Sequence, residues 1–374
     1  MRFKGPFLVF EEGFFVRSPI QGIRLGPMSR STPKLKPLSR QVIVITGATS
    51  GIGLSTARAA AHQGAALVLA ARNEEALKAV CEDLSAKGAR CAWKVADVGV
   101  CTEVQGLADF AIAEFGGFDT WVNNAGVTII GPVTDTPLED QRRLFDTNYW
   151  GVVHGSRVAV EHLRTREGGG AVINIGSPLG DVPGPLQGVY SASKSAVKAF
   201  THALQFELAG QGAPVSVTLV KPQAVDTPYA EHARNLTELA VQSPPSVYAT
   251  PLVAQAILHA AEHPVRELDV GGAGSPIIGL IGAVWPWAAQ KLMAGSVATL
   301  SGARAKRTDT PADNLHHPSR DLRERAFHEK VHQSSLVTSA QMRPKTTLTV
   351  ALLAGLGLGA LIAGASGGRD RSAG

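Results

Sequence analysis

Cysteine, aromatic side chains and unbalanced charge are all scarce in this chain, and each scarcity closes a class of function. Only 3 of the 374 residues are cysteine, at positions 81, 91 and 101. That number excludes a disulfide framework, and the even spacing of ten fits no metal-ligand pattern. The sequence therefore reads as three ordinary thiols in a reducing compartment, with no metal site. Aromatic residues make up 6% of the chain, and no basic patch interleaved with them supports nucleic-acid binding. The net charge is +5, but it is concentrated at one end. Residues 1–300 carry 25 Lys+Arg against 25 Asp+Glu, residues 301–345 carry 9 against 5, and residues 346–374 carry 2 against 1. The basicity belongs to the C-terminal region and says nothing about the main body. The 40 glycines have no three-residue period, which excludes collagen, and 44% hydrophobic content excludes a wholly disordered chain. The length suffices for one full domain with roughly 100 residues left over.

The apolar run after Met1 is broken by Glu11 and Glu12, so no secretory leader is expected. Residues 17–40 are rich in Pro, Ser, Arg and Lys, and 1–40 is expected to form a disordered tail. Residues 1–27 show no periodic core pattern and are expected to add nothing to folding, with Met28 as an alternative start. From Val42 the pattern changes. Apolar runs at 42–45, 66–72, 91–98, 118–126, 171–177, 215–222 and 267–272 alternate with helical stretches, among them 74–86, 138–166, 189–209 and 250–262. Strands apolar on both faces and separated by helices predict a doubly wound α/β domain over 41–272. Its parallel sheet has about seven strands, with ligands at their carboxyl ends.

The first strand ends in TGATSGIG. Gly47 permits the tight turn, Gly51 lets the backbone approach a pyrophosphate, and Gly53 lets helix and strand pack closely, with the helix N-terminus favouring phosphate charge. Tyr190 and Lys194 are four apart on a predicted helix and so share one face. A free tyrosine titrates near 10, so acid/base work around neutrality needs its anion favoured by about 3 units, roughly 4 kcal/mol. The Lys194 ammonium can supply part of that. Ser177, at the end of an adjacent strand, is placed to hydrogen-bond a substrate oxygen.

The glycine spacing resembles the short-chain dehydrogenase/reductase family. The resemblance extends, in order, through Asp97-Val98, NNAG at 123–126, Asn148 in FDTNYWG, Ser177, YSASK at 190–194, Pro222 and Asp226-Thr227, covering about 40–272. It implies a Rossmann-like oxidoreductase with Ser177, Tyr190, Lys194 and Asn148 as catalytic residues, Asn148 anchoring a water behind Lys194. It also implies cofactor contacts from Gly47, Thr49, Ser50, Gly51, Ile52, Gly53, Arg72, Asp97, Val98, Asn124, Ala125, Gly126, Tyr190, Lys194, Pro222, Val225 and Thr227. The second strand ends in Ala70-Ala71-Arg72-Asn73 with no carboxylate before Glu74. A guanidinium there suits a 2′-phosphate, so NADP(H) is expected over NAD(H). Gln223 stands where the family usually has glycine, close to the expected nicotinamide position.

Beyond Gly272 the chain exceeds the usual family length. The apolar stretch 276–293, with Trp285 and Trp287, reads as an interfacial or substrate-entrance helix within 273–300, a packed core or subunit helix being the alternative. Residues 301–345 read as a basic linker in which His316-His317 is plain loop. Residues 348–365 are eighteen uncharged, mostly apolar residues between Arg343/Lys345 and Arg369/Arg371. At 1.5 Å per residue they reach about 27 Å, enough for a transmembrane helix over 346–366, against the alternative of a glycine-rich tail over the same residues. The overall expectation is an NADP(H)-dependent oxidoreductase interconverting a secondary alcohol and a ketone or aldehyde. Its substrate is small or lipid-like and apolar, it forms a homo-oligomer, and its C-terminus holds it on the cytoplasmic side of a membrane, with a soluble cytoplasmic enzyme as the alternative. Epimerase and enoyl-reductase chemistry are disfavoured. A catalytically idle nucleotide-binding or membrane-tethered scaffold is the competing class, and substrate choice is expected to lie in 183–189 and 226–249.

Overall fold

In the computed structural model, residues 33–237, 246–300, 313–318 and 322–343 are described. Seven strands form one parallel sheet: β1 (Val42–Thr46), β2 (Ala66–Ala71), β3 (Cys91–Val95), β4 (Thr120–Asn123), β5 (Gly170–Ile175), β6 (Val215–Pro222) and β7 (Glu267–Val270). Their order is β7-β6-β5-β4-β1-β2-β3, so β1 lies between β4 and β2. The chain order reverses there, which places the ligand crevice outside the carboxyl ends of β1 and β4. The expected doubly wound sheet is present. Its strands lack side-chain alternation because both faces are covered: Ile43, Ile45, Leu67 and Leu69 pack on one side, Val44, Val68, Trp121 and Val172 on the other.

Helices α1 (Gly51–His62), α2 (Glu74–Ala86), α3 (Cys101–Phe115), α6 (Gly188–Gln211) and α7 (Thr250–Glu262) fall close to their expected positions. The helix expected at 138–166 is α4 (Leu138–Phe145) and α5 (Gly151–Leu163), joined by a π-helical turn, Asp146–Trp150. π-turns inside α-helices are frequent at functional sites, and this one carries the fully buried Asn148.

Three expectations are corrected. Cys81 and Cys91 form a disulfide, their Cα atoms 5.5 Å apart, and only Cys101 is a free, exposed thiol. The chain leaving α2 turns straight back into β3, which brings the pair within bonding reach. The argument from free thiols to a reducing compartment therefore loses its basis. Residues 33–40 are not a tail. Leu38 is buried in the core, its N–H donates to Glu262 at 2.9 Å, and Lys36 pairs with Asp119 at 2.6 Å.

Nor is 301–345 a linker where it is described. Leu315 is fully buried, and Val331–His332 pairs in parallel with Val247–Tyr248. Helix α10 (Leu336–Met342) lies against β7, with Thr338 Oγ1 accepting the Gly271 N–H at 3.0 Å. His316, expected to be plain loop, pairs with Asp140 at 2.7 Å.

The apolar stretch after β7 is two helices, α8 (Gly274–Val284) and α9 (Pro286–Leu300), broken at Trp285-Pro286 because proline cannot continue the first. Residues 1–27 and 348–365 lie outside the described residues. Among the described residues no helix is long and apolar enough to cross a membrane.

Candidate active site

The turn after β1 is built so that only glycine fits. Gly47 has φ +64°, and a Cβ there would lie 2.8 Å from Ala125 Cα. A Cβ on Gly53 would lie 2.1 Å from the Gly47 carbonyl oxygen. The expected contact residue Asn124 turns out to be a clamp on this turn. Its Nδ2 donates to the carbonyls of Thr46 (2.9 Å) and Gly47 (3.1 Å), while Thr46 Oγ1 accepts the N–H groups of Asn124 and Ala125. Gly47, Thr49, Ser50, Gly51, Ile52, Arg72, Asp97, Val98, Asn124, Ala125, Gly126, Pro222, Val225 and Thr227 all line one cavity of about 900 Å³. Of the expected contacts, only Gly53 is not on that wall, because it is consumed in packing α1 against the turn. The tight glycine turn running into a helix start suits a dinucleotide, although the Gly51 N–H is taken by the C-terminal segment.

The opposite end of the cavity holds Ser177, Tyr190 and Lys194. Ser177 starts the turn Pro178–Gly180. Its Oγ accepts the Leu179 N–H at 3.1 Å. Lys194 Nζ lies 5.7 Å from the centre of the Tyr190 ring and donates to the Ile175 carbonyl at 2.8 Å. Burial pulls Lys194 down to about 8. Burial also pushes the Tyr190 phenol up, against hydrogen bonds from Tyr229 and Ser177 that pull it down. Without a positive ring beside it, Tyr190 is held neutral. Asn148 does not aim its side chain at Lys194. Its Oδ1 accepts the Val127 N–H at 2.8 Å, and its Nδ2 donates to the Val127 carbonyl (2.9 Å) and Ser193 Oγ (3.2 Å). The side chain braces the loop after β4.

Gln223 does not intrude. Its amide folds onto the end of β7, donating to the Gly272 carbonyl at 2.6 Å and accepting the Gly272 N–H at 3.1 Å.

What sequence reasoning missed is the C-terminal segment lying along the glycine-turn end. Arg72, expected to face a phosphate, donates to the main-chain carbonyls of Leu315 (3.1 Å), His317 (3.3 Å) and Asn314. Burial lowers its pKa, and so does neighbouring Arg143, with Asp97 opposing. Arg143 itself pairs with Asp97 (2.5 Å) and donates to the Leu315 carbonyl at 3.1 Å. The Gly51 N–H donates to the Arg323 carbonyl at 3.0 Å. Tyr229 was also missed: it sits in a turn after β6 with no motif of its own, against Tyr190. The only hint was its place within 226–249.

A profile of the short chain dehydrogenase family matches residues 41–237. An uncharacterised oxidoreductase YxnA of Bacillus subtilis is 47% identical over 268 residues, 71% of this chain and 75% of that one. A 3beta-hydroxysteroid dehydrogenase 1 of Eggerthella lenta is 34% identical over 192 residues, 51% of this chain and 70% of that one. Two solved structures are similar. A short chain dehydrogenase/reductase from Burkholderia phymatum in complex with NAD has TM-score 0.59 and 28% identity, covering 74% of this chain and 99% of its own. An alcohol dehydrogenase from Thermococcus sibiricus complexed with 5-hydroxy-NADP has TM-score 0.55 and 25% identity, covering 62% and 96%.

Proposed function

This chain belongs to the short-chain dehydrogenase/reductase family and is an oxidoreductase acting on CH–OH donors, and within that class we propose an NADP(H)-dependent enzyme that interconverts a secondary alcohol and a ketone or aldehyde, with a small or lipid-like apolar substrate. The observation that carries the reading is the convergence of Ser177, Tyr190 and Lys194 on the cavity that also holds the glycine turn. A bound nicotinamide cofactor supplies the hydride acceptor or donor. The protein supplies proton handling. Tyr190 takes the hydroxyl proton of an alcohol, or returns one to the carbonyl oxygen, while Ser177 hydrogen-bonds the same oxygen. Lys194, an ammonium below about 8, places positive charge beside the Tyr190 ring and favours the phenolate. The inner walls, with Val182, Leu179, Leu186, Ile278 and Met293, keep water from the reacting oxygen. A panel of secondary alcohols and ketones assayed with both cofactors tests the reading. Absence of turnover on every member, with cofactor bound, would overturn it.

The NADP(H) preference rests on Arg72, which lines the cavity just past the end of β2, where the chain has no carboxylate before Glu74. Because Arg72 also holds the 314–317 carbonyls, glutamine is the informative replacement, keeping donors while removing charge. Arg72→Gln is expected to weaken NADPH by roughly 10-fold or more and NADH little, the loss of one charge-assisted phosphate contact. Titration of both cofactors checks it, and unchanged selectivity would assign the phosphate to another residue.

The lipid-like substrate draws support from the α8–α9 pair. These helices contribute Ile278 and Met293 to the cavity while leaving Trp285 and Trp287 58% and 63% exposed. A C-terminal membrane anchor over 346–366 is part of the same proposal. Fractionation of the full chain against a truncation after Lys345 tests it: the full chain should sediment with membranes and the truncation should not.

A further inference from the structure

Helix α6 carries a second row of polar side chains beside the Tyr190/Lys194 pair. Ser191, Ser195 and Lys198 are spaced by four and three residues, so they form one stripe, turned about 100° from the first. All three grip the chain that follows Ser177. Ser191 Oγ accepts the Gly184 N–H at 3.2 Å, and Ser195 Oγ donates to the Gly180 carbonyl at 3.0 Å. Lys198 Nζ pairs with Asp181 Oδ1. The turn lies so close to α6 that a Cβ on Gly180 would be 2.8 Å from the Lys194 carbonyl oxygen.

Asp181 is where these restraints meet a second element. It is the only acidic residue between Ser177 and Tyr190, and its side chain is largely buried. Its other oxygen, Oδ2, takes the Nζ of buried Lys221 at 2.8 Å, from the carboxyl end of β6. Lys221 is fixed in turn by Glu267 and, at 3.2 Å, by Asp269, both on β7. One carboxylate thus ties the turn to the helix of Tyr190 and Lys194 and to the strand that ends at Pro222 on the cavity wall.

We propose that Asp181 is a positioning residue for Ser177: paired with Lys198 and Lys221, it fixes where the turn lies against α6, so that the Ser177 and Tyr190 hydroxyls reach one substrate oxygen. The proposal rests on Ser177 hydrogen-bonding that oxygen. Ser177 Oγ accepts the Leu179 N–H, a bond within the turn itself, so the hydroxyl travels with the turn. Two ammonium groups on different elements hold the carboxylate from two directions, with charge-assisted bonds stronger than the two serine bonds. Displacing a reacting group by about 1 Å can cost about 10²-fold in rate. Leu179 and Val182, which flank Asp181 on the turn, line the cavity, so the same pin sets the apolar wall beside the reacting oxygen.

The test compares kcat, KM and cofactor Kd in the full-length enzyme for wild type, Asp181→Asn, Ser177→Ala and the double variant. Asparagine keeps the shape and removes the charge, while Lys221 retains Glu267 and Asp269. Asp181→Asn is expected to lower kcat about tenfold with cofactor Kd retained. In the Ser177→Ala background the same change should cost no more than about twofold, since no hydroxyl is left to aim. An unchanged kcat in Asp181→Asn would overturn the proposal, as would a change confined to KM. An equal loss with and without the Ser177 hydroxyl would overturn it too, making Asp181 purely structural. If Asp181→Asn does not fold, Lys198→Met at the partly exposed end of the pair carries the test, with a smaller loss expected to vanish in the same background. Wild-type kcat in Ser177→Ala would instead remove the underlying reading, which separates the two failures.

Discussion

Tyr190→Phe is expected to lower kcat by roughly 10²–10⁴-fold, the range for losing a general acid–base, while leaving cofactor affinity near its wild-type value. The substitution deletes one oxygen. The ring stays, so the edge contact with Tyr229 and the lysine over its face remain. Lys194 keeps its bond to the Ile175 carbonyl, so no buried cation is stranded. The cofactor cradle lies at the other end of the cavity and does not depend on the phenol. Steady-state kinetics and a cofactor binding titration measure the two quantities separately. Full turnover in Tyr190→Phe would transfer the proton chemistry to another group. Joint loss of turnover and binding would mean that the site had collapsed.

The second large effect concerns the C-terminal segment. Leu315→Ala should destabilise the protein by about 2–4 kcal/mol, as large-to-small changes at fully buried leucines do. Asp226→Ala should cost about 2 kcal/mol at neutral pH, because it strips a buried acceptor from the His328 N–H and ring. Arg325 adds little to that figure, since 43% of its side chain is exposed. The pH dependence follows from the direction of the Asp226 shift. Burial pushes its carboxyl up, but bonds from Arg325 and His328 outweigh this and hold it below the usual carboxylate range. Its contribution is therefore complete above the unfolded value near 3.9 and is lost as pH falls through the lower folded value. Denaturant melts should show wild type and Asp226→Ala well separated at neutral pH and converging at strongly acid pH. A gap that stays constant down to acid pH, or Leu315→Ala melting with the wild type, would show that the segment does not pack as described.

The sequence alone determined everything governed by local rules. Apolar runs of four to nine residues with helices between them set the parallel sheet, since a strand covered on both faces needs no alternation. Gly47 and Gly53 were legible because a positive φ and a backbone approach without a Cβ leave no other residue possible. Tyr190 and Lys194 were legible because four residues on a helix is one face. Contacts between distant stretches were not legible. Asp226 meeting His328, Arg72 meeting the carbonyls of 314–317, and Tyr229 meeting Tyr190 leave no periodicity behind, since main-chain acceptors carry no sequence signature. The pairing of Cys81 with Cys91 was missed for a related reason: equal spacing says nothing of the turn from α2 into β3 that joins them. Composition marked 301–345 as basic and polar, yet its described residues, 313–318 and 322–343, pack. A few buried side chains, Leu315 and Thr338 among them, together with pairing to residues 247–248, fix a segment whose average character is that of a linker. Packing acts through individual side chains brought together by the whole fold, and averages over the chain do not record it.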